Sequence, residues 1–275
     1  MNQQPITKRD FNPDGRLWVH SVFGPTFQGE GPFAGTRCVF IRLQDCNLQC
    51  PGCDTLYHAP WGDRTDEQKV YWKPEDLAME AMLRFGGTLH NRVTRDLVVI
   101  SGGEPFRQNL LPLLLKFQQY NGAFVQIETN GTLPPQFPDM ANPDPSFYNT
   151  NPFERKGRYV VCSPKTPICH KNYDAVACAF KYVLDHRSVD PEDGLPIHVL
   201  GNVNKKRVYR PEHKVRPVYL QPMDHSMEAE YIPGAGVTNL QIAELNQKSL
   251  EAVKASCLKH GYIMQLQMHK LIGVE

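Results

Sequence analysis

The chain has 275 residues, enough for one large domain or two small ones with a substantial core. Its apolar fraction of 41% is ordinary for a globular protein, and a formal net charge of +1 excludes a strong field that would attract nucleic acid or a membrane surface. The sequence has no run of about 18 apolar residues, as a transmembrane helix would need, and residues 1–10 lack the apolar core of a secretory signal. We therefore expect a cytoplasmic protein that binds neither membranes nor nucleic acid directly.

Short apolar runs alternate with helical patterns along the chain. The first predicted strands are 17–23 and 38–43, and the second is nearly continuous in apolar residues, as in a strand buried on both faces. A helix with proline at its start is predicted over 74–85, then a strand over 97–101 and a helix over 110–120. The remaining predicted elements are strands over 123–128, 159–162, 180–184 and 218–221, a helix over 242–260 and a closing strand over 262–267.

Strands that alternate with helices indicate βα units and a mainly parallel sheet. Segments 59–73, 133–158 and 185–216 are rich in proline, asparagine, aspartate or basic residues, and we predict that they are long loops or insertions. A closed eight-unit barrel takes about 250 residues, so only about six units fit here. The predicted fold class is α/β, an incomplete (βα)6 TIM-type barrel, with a doubly wound open sheet as the alternative. No composition change marks a domain boundary, which predicts a single domain over 1–275 with residues 1–17 as an N-terminal extension.

Three of the eight cysteines, Cys46, Cys50 and Cys53, lie on one short loop after the predicted strand 38–43. Thiolates favour soft metal centres, and a structural zinc site or a closed four-iron cluster takes four protein ligands. Three ligands leave one iron of a [4Fe-4S] cluster open, which is typical of a catalytic metal site. The amine and carboxylate of S-adenosylmethionine can chelate that iron, and electron transfer into the sulfonium would release a 5′-deoxyadenosyl radical. The alternative is a zinc knuckle completed by His58 or a distant cysteine.

The C-x3-C-x2-C spacing resembles that of the radical-SAM superfamily. One residue departs from the pattern, because that superfamily usually has an aromatic residue just before the third cysteine, where this chain has Gly52. In the superfamily the aromatic residue lies near the adenine. The departure therefore bears on the adenine contacts and leaves the three cluster ligands unchanged.

Five polar motifs each follow a predicted strand. They are residues 101–105 (SGGEP), 128–131 (ETNG), 163–165 (SPK), 221–224 (QPMD) and 267–270 (QMHK), the last of which is predicted to close the final strand. Each motif alone is a weak signal, since Gly-Gly and Asn-Gly more often mark turns than sites. The carboxyl ends of barrel strands share one face, and that face holds the active site. We therefore expect the five motifs to converge beside the cysteine loop.

The order of these motifs resembles the 7-carboxy-7-deazaguanine synthase (QueE) family. The resemblance includes residues 27–31 (FQGEG), 40–42 (FIR) and 53–55 (CDT) and runs from about residue 19 to the C-terminus. Residues 1–18 and 133–158 have no counterpart. The resemblance implies an incomplete radical-SAM barrel and a lyase that converts 6-carboxy-5,6,7,8-tetrahydropterin into 7-carboxy-7-deazaguanine with release of ammonia, in queuosine or other deazapurine biosynthesis. It further implies a [4Fe-4S] cluster, S-adenosylmethionine and Mg²⁺ as cofactors, a homodimer, and an electron donor such as flavodoxin or ferredoxin.

The resemblance also assigns roles to individual residues. The implied cluster ligands are Cys46, Cys50 and Cys53. The implied contacts with S-adenosylmethionine are Gly103, Glu104, Ser163, Lys165 and Gln221, with Glu128 and Asn130 as weaker candidates. The implied substrate pocket contains Gln28, Glu30, Arg42, Ser101 and His269. The implied magnesium ligand is Thr55, with Asp54 as a weaker candidate, and the carboxylate of Glu275 is a further candidate for substrate contact.

The residue types agree with these roles. The guanidinium of Arg42 can pair with a substrate carboxylate in a fixed fork geometry. The side chains of Glu30 and Gln28 can bind the donor and acceptor edge of a pterin. Oxygen ligands suit Mg²⁺, which keeps waters and substrate in its shell. The purely structural alternatives are that Arg42 forms an ion pair with a carboxylate inside the barrel and that Glu30 caps a loop.

The other cysteines and a basic stretch have alternatives of their own. Cys162, Cys169 and Cys178 can be viewed as a second cluster, but their wide, irregular spacing favours core packing, and we expect the same of Cys38 and Cys257. The basic residues between 205 and 216 have no interleaved aromatic for stacking apart from Tyr209, which favours a solvated loop over an RNA-binding surface.

Two rival functions remain besides the ring-contracting enzyme. One is a radical-SAM activase that makes a glycyl radical on a partner protein and needs an open groove for a polypeptide. The FQGEG and CDT motifs favour a small molecule instead. The other is a non-enzymatic metal protein, either a zinc module or an iron–sulfur electron carrier.

Overall fold

The computed structural model describes residues 9–53, 70–86, 96–120, 123–154, 157–201, 206–212, 216–226 and 238–274. The strands in these ranges are β1 (Leu17–Phe27), β2 (Arg37–Leu43), β3 (Tyr71–Trp72), β4 (Asp96–Gly102), β5 (Ala123–Thr129), β6 (Arg158–Cys162), β7 (Ala177–Leu184), β8 (Val218–Pro222) and β9 (Ile263–Met264). The α-helices are α1 (Pro74–Arg84), α2 (Leu111–Gln118), α3 (Tyr173–Val176), α4 (Asn239–His260) and α5 (Met268–Ile272).

The described strands form one sheet in the order β3-β1-β2-β4-β5-β6-β7-β8-β9. Strand β1 is antiparallel to β2 and β3, and every pair from β2 to β9 is parallel. Within the described residues, the two edge strands β3 and β9 do not pair with each other, so the barrel is open. The order from β2 onward never reverses, whereas a doubly wound sheet requires a reversal. The α/β prediction of an incomplete barrel is therefore confirmed, and the doubly wound alternative is not observed.

The two faces of the sheet have separate apolar cores, because successive side chains of a strand point to opposite faces. On the outer face, Val39 and Ile41 of β2 pack in a cluster with Leu77 of α1 and Leu114 of α2. On the inner face, a smaller cluster is built around the mutually packed rings of Phe33, Phe124 and Tyr159. These rings lie near the amino ends of the parallel strands, so they fill the barrel interior there and leave the carboxyl ends open.

Helix α4 has defined signals at both ends. Thr238 and Gln241 form a capping box at its start, and Gly261 ends it in the left-handed conformation with φ of 78°. The capping box begins the helix three residues before the predicted start at 242. None of the helices in the described part of the chain combines the length and apolar character needed to span a lipid bilayer.

Two predictions about the sheet edges are wrong in detail. The predicted closing strand over 262–267 is reduced to Ile263–Met264, and the motif at 267–270 lies at the start of α5 instead of closing a strand. Strand β9 has only β8 as a neighbour and its side chains are exposed, so burial does not extend it. The short strand β3 lies within the segment 59–73, which we predicted as a loop.

The segment predicted as an insertion, 133–158, has no strand or α-helix among its described residues until β6 begins at Arg158. It contains the 3₁₀ turns Pro145–Phe147 and Pro152–Glu154. Nevertheless Leu133, Phe137 and Tyr148 are at most 2% exposed and belong to the outer core. This segment is therefore a packed part of the fold.

Candidate active site

A cavity of about 420 Å³ opens at the carboxyl ends of the parallel strands. It is lined by most of the residues predicted from motifs: Gln28, Glu30, Arg42, Cys46, Cys50, Cys53, Ser101, Gly103, Glu128, Asn130, Ser163, Lys165, Gln221 and His269. Glu104 lies behind the wall, with no exposed surface. The predictions for Asp54, Thr55 and Glu275, and the zinc alternative at His58, fall outside the described residues. The expected convergence of motifs is thus present in the described part of the chain.

The glycine pair after β4 lets the start of the cysteine loop pack closely. A Cβ atom on Gly103 would lie 1.6 Å from the carbonyl oxygen of Asp45. The Gly103 and Glu104 amides donate hydrogen bonds to the carbonyls of Leu43 (3.1 Å) and Asp45 (2.9 Å). Only glycine permits this approach without displacing the backbone.

The motif after β5 holds the cysteine loop from the other side. Asn47, between the first two cysteines, is fully buried. Its Oδ1 accepts a hydrogen bond from Asn130 Nδ2 (2.9 Å), and its Nδ2 donates to Thr132 Oγ1 (2.7 Å). Asn130 Oδ1 in turn accepts from the amide and hydroxyl of Thr132. Asn130 therefore positions the loop, a role that the sequence did not indicate.

Arg107 supports the same loop from below. Its side chain is 0% exposed and forms ion pairs with Asp10 and with Asp45, the latter at 3.4 Å. Its Nη1 donates to the carbonyl oxygen of Cys46 at 2.6 Å. Asp10 belongs to the predicted N-terminal extension, so part of that extension helps to hold the cysteine loop through Arg107.

The cysteine set fits a cluster with one open iron. Cys46, Cys50 and Cys53 form no disulfide bond and are of intermediate burial, and all three line the cavity. Burial raises the pKa of Cys46, and the nearby Cys50 and Cys53 raise it further. The other five cysteines, all within the described ranges, do not line the cavity. The donor set is therefore three soft sulfur ligands with no fourth described cysteine, as a site-differentiated [4Fe-4S] cluster requires.

The proposed second cluster of cysteines is not formed. Cys162 and Cys169 have their sulfur atoms 3.9 Å apart, and Cys162 belongs to the outer core. Cys178 belongs to the inner core on the other face of the sheet. These three thiols do not converge, which agrees with the packing interpretation.

Glu104 is buried against three protein donors. Its Oε1 accepts from Thr129 Oγ1 (2.7 Å) and the Phe106 amide (3.0 Å), and its Oε2 accepts from the Asn130 amide (2.7 Å). Burial raises the pKa of Glu104 to about 7, although these hydrogen bonds oppose the shift. Glu104 thus joins the strand ends of β4 and β5 directly beneath the cavity.

Glu30 carries a negative charge inside the cavity. Burial alone would raise its pKa, but an ion pair with Lys181 and hydrogen bonds from Lys181 and Gln267 lower it to about 2. Gln267 Nε2 lies 2.9 Å and Gln221 Nε2 lies 3.3 Å from Glu30 Oε1. Sequence reasoning missed Lys181 and Gln267, although a lysine inside the apolar run of β7 was a visible signal.

Arg42 presents a cation to the cavity. It pairs in register with Ser101 across β2 and β4, and its guanidinium lies 4.4 Å from the centre of the Phe23 ring, which stacks on Phe40. Within the described residues Arg42 has no carboxylate partner. The alternative that Arg42 only forms an ion pair inside the barrel is therefore not observed there. Stacking fixes the orientation of its donor fork.

The amide of Gln28 is already used within the protein. Its Nε2 donates to Glu128 Oε1 (3.1 Å), and its Oε1 accepts from the Glu30 amide (3.2 Å). His269 packs tightly on Gly29, where a Cβ atom would lie 2.1 Å from the His269 ring. The FQGEG segment is therefore fixed between β5 and α5, which places Glu30.

The SPK motif forms a local pair, with Lys165 Nζ donating to the carbonyl and the hydroxyl of Ser163. On the far side of the cavity, Gln221 Oε1 is buried and has no hydrogen-bond partner in the described structure. An unpaired buried acceptor suits a ligand hydroxyl or ammonium. These groups lie where a polar cofactor can be held.

The space beside Gly52 is filled by the segment predicted as an insertion, 185–216. A Cβ on Gly52 would lie 3.1 Å from the Met223 methyl group and 3.5 Å from the backbone of Leu200, whose carbonyl accepts from the Gly52 amide at 3.0 Å. Leu200 also lines the cavity. A side chain at position 52 would press on the Met223 methyl group and the Leu200 backbone, so glycine suits this close contact.

A second group of metal-binding residue types, Asp185, His186 and His225, lies beyond β7 and β8 with ligand atoms within 4.8 Å of one another. Both oxygens of Asp185 accept hydrogen bonds from Arg187, and both histidines contact Ser249 Oγ of α4. These contacts account for the cluster as a structural link between the strand ends and α4.

No protein-family model matches the chain. Among curated proteins, the 7-carboxy-7-deazaguanine synthase of Rhodospirillum rubrum is 36% identical over 260 residues, which cover 94% of this chain and 92% of that relative. The 7-carboxy-7-deazaguanine synthase of Rickettsia prowazekii is 29% identical over 271 residues, covering 94% of this chain and 89% of that relative.

A solved structure is similar as well. The crystal structure of QueE from Escherichia coli matches with a TM-score of 0.55 and 23% identity, covering 92% of this chain and 95% of that one, which shows a shared fold. Identity of 36% along nearly the whole of both chains shows family membership. The chain therefore belongs to the 7-carboxy-7-deazaguanine synthase (QueE) family of radical-SAM enzymes.

Proposed function

We propose that this protein is a lyase that converts 6-carboxy-5,6,7,8-tetrahydropterin into 7-carboxy-7-deazaguanine with release of ammonia. The observation that carries the proposal is the cavity itself, which brings the thiols of Cys46, Cys50 and Cys53, the buried carboxylate of Glu30 and the guanidinium of Arg42 to one substrate-sized space. A volume of about 420 Å³ suits a small molecule. The activase alternative needs a groove for a polypeptide and gains no support from this geometry.

In this proposal, Cys46, Cys50 and Cys53 hold a [4Fe-4S] cluster. With S-adenosylmethionine, the cluster supplies the carbon radical that starts the reaction. Ser163, Lys165 and the unpaired Oε1 of Gln221 hold the polar groups of the cofactor. Gly103 lets the backbone approach it closely, and Glu104, Glu128 and Asn130 support this wall.

The substrate is oriented by opposite charges at two ends of the cavity. Arg42 takes the pterin carboxylate through its fork of donors, with Ser101 beside it. Glu30 accepts hydrogen bonds from the N–H groups of the pterin ring, and Gln28 and His269 hold the segment that carries it. This orientation places the ring between the two charges and keeps it facing the cysteine loop.

The remaining proposals concern Mg²⁺, partners and location. Thr55, with Asp54 as a second candidate, is proposed to bind Mg²⁺ together with substrate oxygens. The protein is proposed to act as a homodimeric, single-domain enzyme of queuosine or deazapurine biosynthesis, reduced by a flavodoxin or ferredoxin. The eight cysteines, each of which the structure describes, form no disulfide bond, which suits the reducing conditions of the cytoplasm.

The test is anaerobic cluster reconstitution followed by reductant, S-adenosylmethionine, Mg²⁺ and 6-carboxytetrahydropterin. We expect deazaguanine product and bound iron and sulfide in the wild-type protein. Cys50→Ala should abolish product and 5′-deoxyadenosine, since two thiolates do not hold the cluster, whereas Cys257→Ala, outside the cavity, should retain both.

The other results of this experiment discriminate among the alternatives. Deoxyadenosine without deazaguanine would remove the substrate assignment and leave radical chemistry in place. A protein purified with zinc and without visible absorption would instead support the non-enzymatic metal module.

A further inference from the structure

We propose that Lys181 is a positioning residue that holds Glu30 as a permanent anion, so that the cavity selects a ring that presents N–H donors to it. This inference rests on the proposed function, because it specifies how the same cavity recognises its substrate. Neither Lys181 nor its pairing was indicated by the sequence motifs.

The lysine lies where a charge would otherwise be unfavourable. Lys181 is 7% exposed in the middle of β7, and its sequence neighbours Phe180 and Tyr182 are fully buried. A buried ammonium is costly unless it is paired. Its Nζ contacts Glu30 Oε2, and the two side chains are only 9% and 13% exposed. Each charge therefore provides the partner that the other requires.

The carboxylate is also fixed in orientation. Lys181 contacts one oxygen, while the amides of Gln221 and Gln267 contact the other. These three donors come from β7, from β8 and from the residue preceding α5, so several elements hold one side chain. A carboxylate has about four acceptor sites, so acceptor capacity remains for a ligand in the cavity that Glu30 lines.

The charge decides which ligand edge can bind. An ionised Glu30 only accepts hydrogen bonds, whereas a protonated one would also donate. The cationic or titratable groups that act on Glu30 are Lys181 from β7 and His269 from α5, and Glu128 of β5 is reached through Gln28. Because Lys181 and Glu30 neutralise each other, Arg42 is left to attract the ligand carboxylate. The pair therefore makes Glu30 a hydrogen-bond acceptor only. It also removes one negative and one positive charge from the net charge of the cavity.

The experiment measures binding of 6-carboxypterin, which keeps the carboxylate and the ring N–H edge but is already oxidised. Anaerobic calorimetric titrations use the reconstituted holoenzyme with S-adenosylmethionine and no reductant, at several pH values between about 5.5 and 7.5, where free carboxylates are ionised. The variants are Lys181→Met, Glu30→Gln and the double variant. Lys254→Met, which removes an exposed lysine paired with Glu251 on α4, is the matched control.

We expect the wild-type and control Kd to stay constant over this range, since the pKa of Glu30 is held at about 2. In Lys181→Met the unopposed burial of Glu30 raises its pKa, so Kd should rise on acidification by up to about tenfold per pH unit. Glu30→Gln should bind weakly at every pH. The double variant should bind no more weakly than Glu30→Gln, because the lysine acts through the carboxylate.

Each failure has a separate meaning. Wild-type affinity and a flat pH profile in Lys181→Met would overturn this inference while leaving the proposed function intact. If the wild-type holoenzyme itself does not bind 6-carboxypterin, the proposed function fails and the inference fails with it. If thermal unfolding shows that Lys181→Met does not fold, Glu30→Asp replaces it, since the shorter acid loses the ion pair and should show the same pH dependence.

Discussion

Single residues in this protein act mainly through partners distant in sequence. Asn47 binds side chains 83 and 85 residues away, and Arg107 binds the backbone of Cys46 from 61 residues away. Each of these groups is buried, so its hydrogen bonds are formed in a low-dielectric interior where leaving one unmade is costly. The start of the cysteine loop is thus held by a polar network of residues that are distant in sequence.

From this network we predict that Asn47→Ala weakens cluster binding although no cysteine is substituted. The change leaves Asn130 Nδ2 and Thr132 Oγ1 without their buried partner, which should cost about 1–3 kcal/mol of stability and loosen the loop. We expect reduced iron and sulfide per chain after reconstitution and a lower thermal midpoint. Asn142→Ala, at an exposed turn, is the control, and full iron content in Asn47→Ala would contradict the role of the network.

Much of the site was predictable from the sequence, and the contacts that were not predictable have a physical reason. Arg42, Cys46 and Ser163 lie within about three residues of the carboxyl ends of apolar runs, and the carboxyl ends of parallel strands lie at one edge, so their convergence follows from local pattern. The partner of Glu30 did not follow, because pairing between residues 30 and 181 depends on the register of strands that the pattern does not specify. The contact between Leu200 and Gly52 did not follow either, because it joins two turns that are far apart in sequence.

At the scale of elements, the central strands were predictable and the edges were not. Strands β2 and β4 are buried on both faces, so apolar runs identify them. Strands β3 and β9 are two residues long and lie at the sheet edges, where one neighbour supplies little burial. The turn between β4 and the 3₁₀ helix Pro105–Arg107 holds the cysteine loop against β4, because Gly103 lies against the backbone of Asp45.

Two glycine substitutions distinguish close packing from backbone conformation. Gly103→Ala should push the cysteine loop away from β4 and prevent normal cluster assembly, because its Cβ would overlap Asp45. Gly261→Ala meets no atom within 4 Å but occupies φ of 78°, so it should cost about 1 kcal/mol through the left-handed backbone alone. Iron content and denaturant unfolding measure the two effects. Equal iron content in both variants would show that the glycine approach is unimportant.

At the scale of the whole molecule, the sheet separates stability from chemistry. The aromatic rings of the inner core fill the amino ends of the strands, and the polar residues occupy the carboxyl ends. Aromatic packing and the polar groups of the cavity thus occupy opposite ends of the strands. Glu104 is the exception, since it is fully buried yet joins β4 and β5 beneath the cavity.

The raised pKa of Glu104 lets us predict how the stability of the cluster-free chain depends on pH. The pKa of Glu104 in the folded chain, about 7, exceeds the ordinary value of 4.5. The stabilisation that this difference gives to the folded chain is therefore fully present below pH 4.5 and is lost as pH rises through 7. The shift corresponds to at most about 3 kcal/mol of unfolding free energy. The lowered pKa values of His170 and His186 act in the opposite direction, so the wild-type profile alone does not isolate the effect.

The comparison that isolates it is Glu104→Gln, which removes the titration and keeps the side-chain length. Denaturant unfolding at pH values from 4.5 to 8 should show that the wild-type chain loses stability relative to this variant as pH rises. The exposed Glu251→Gln on α4 should leave the wild-type slope unchanged. A constant difference between wild type and Glu104→Gln across the range would mean that the buried carboxyl is already ionised, and that the three donors around it outweigh its desolvation.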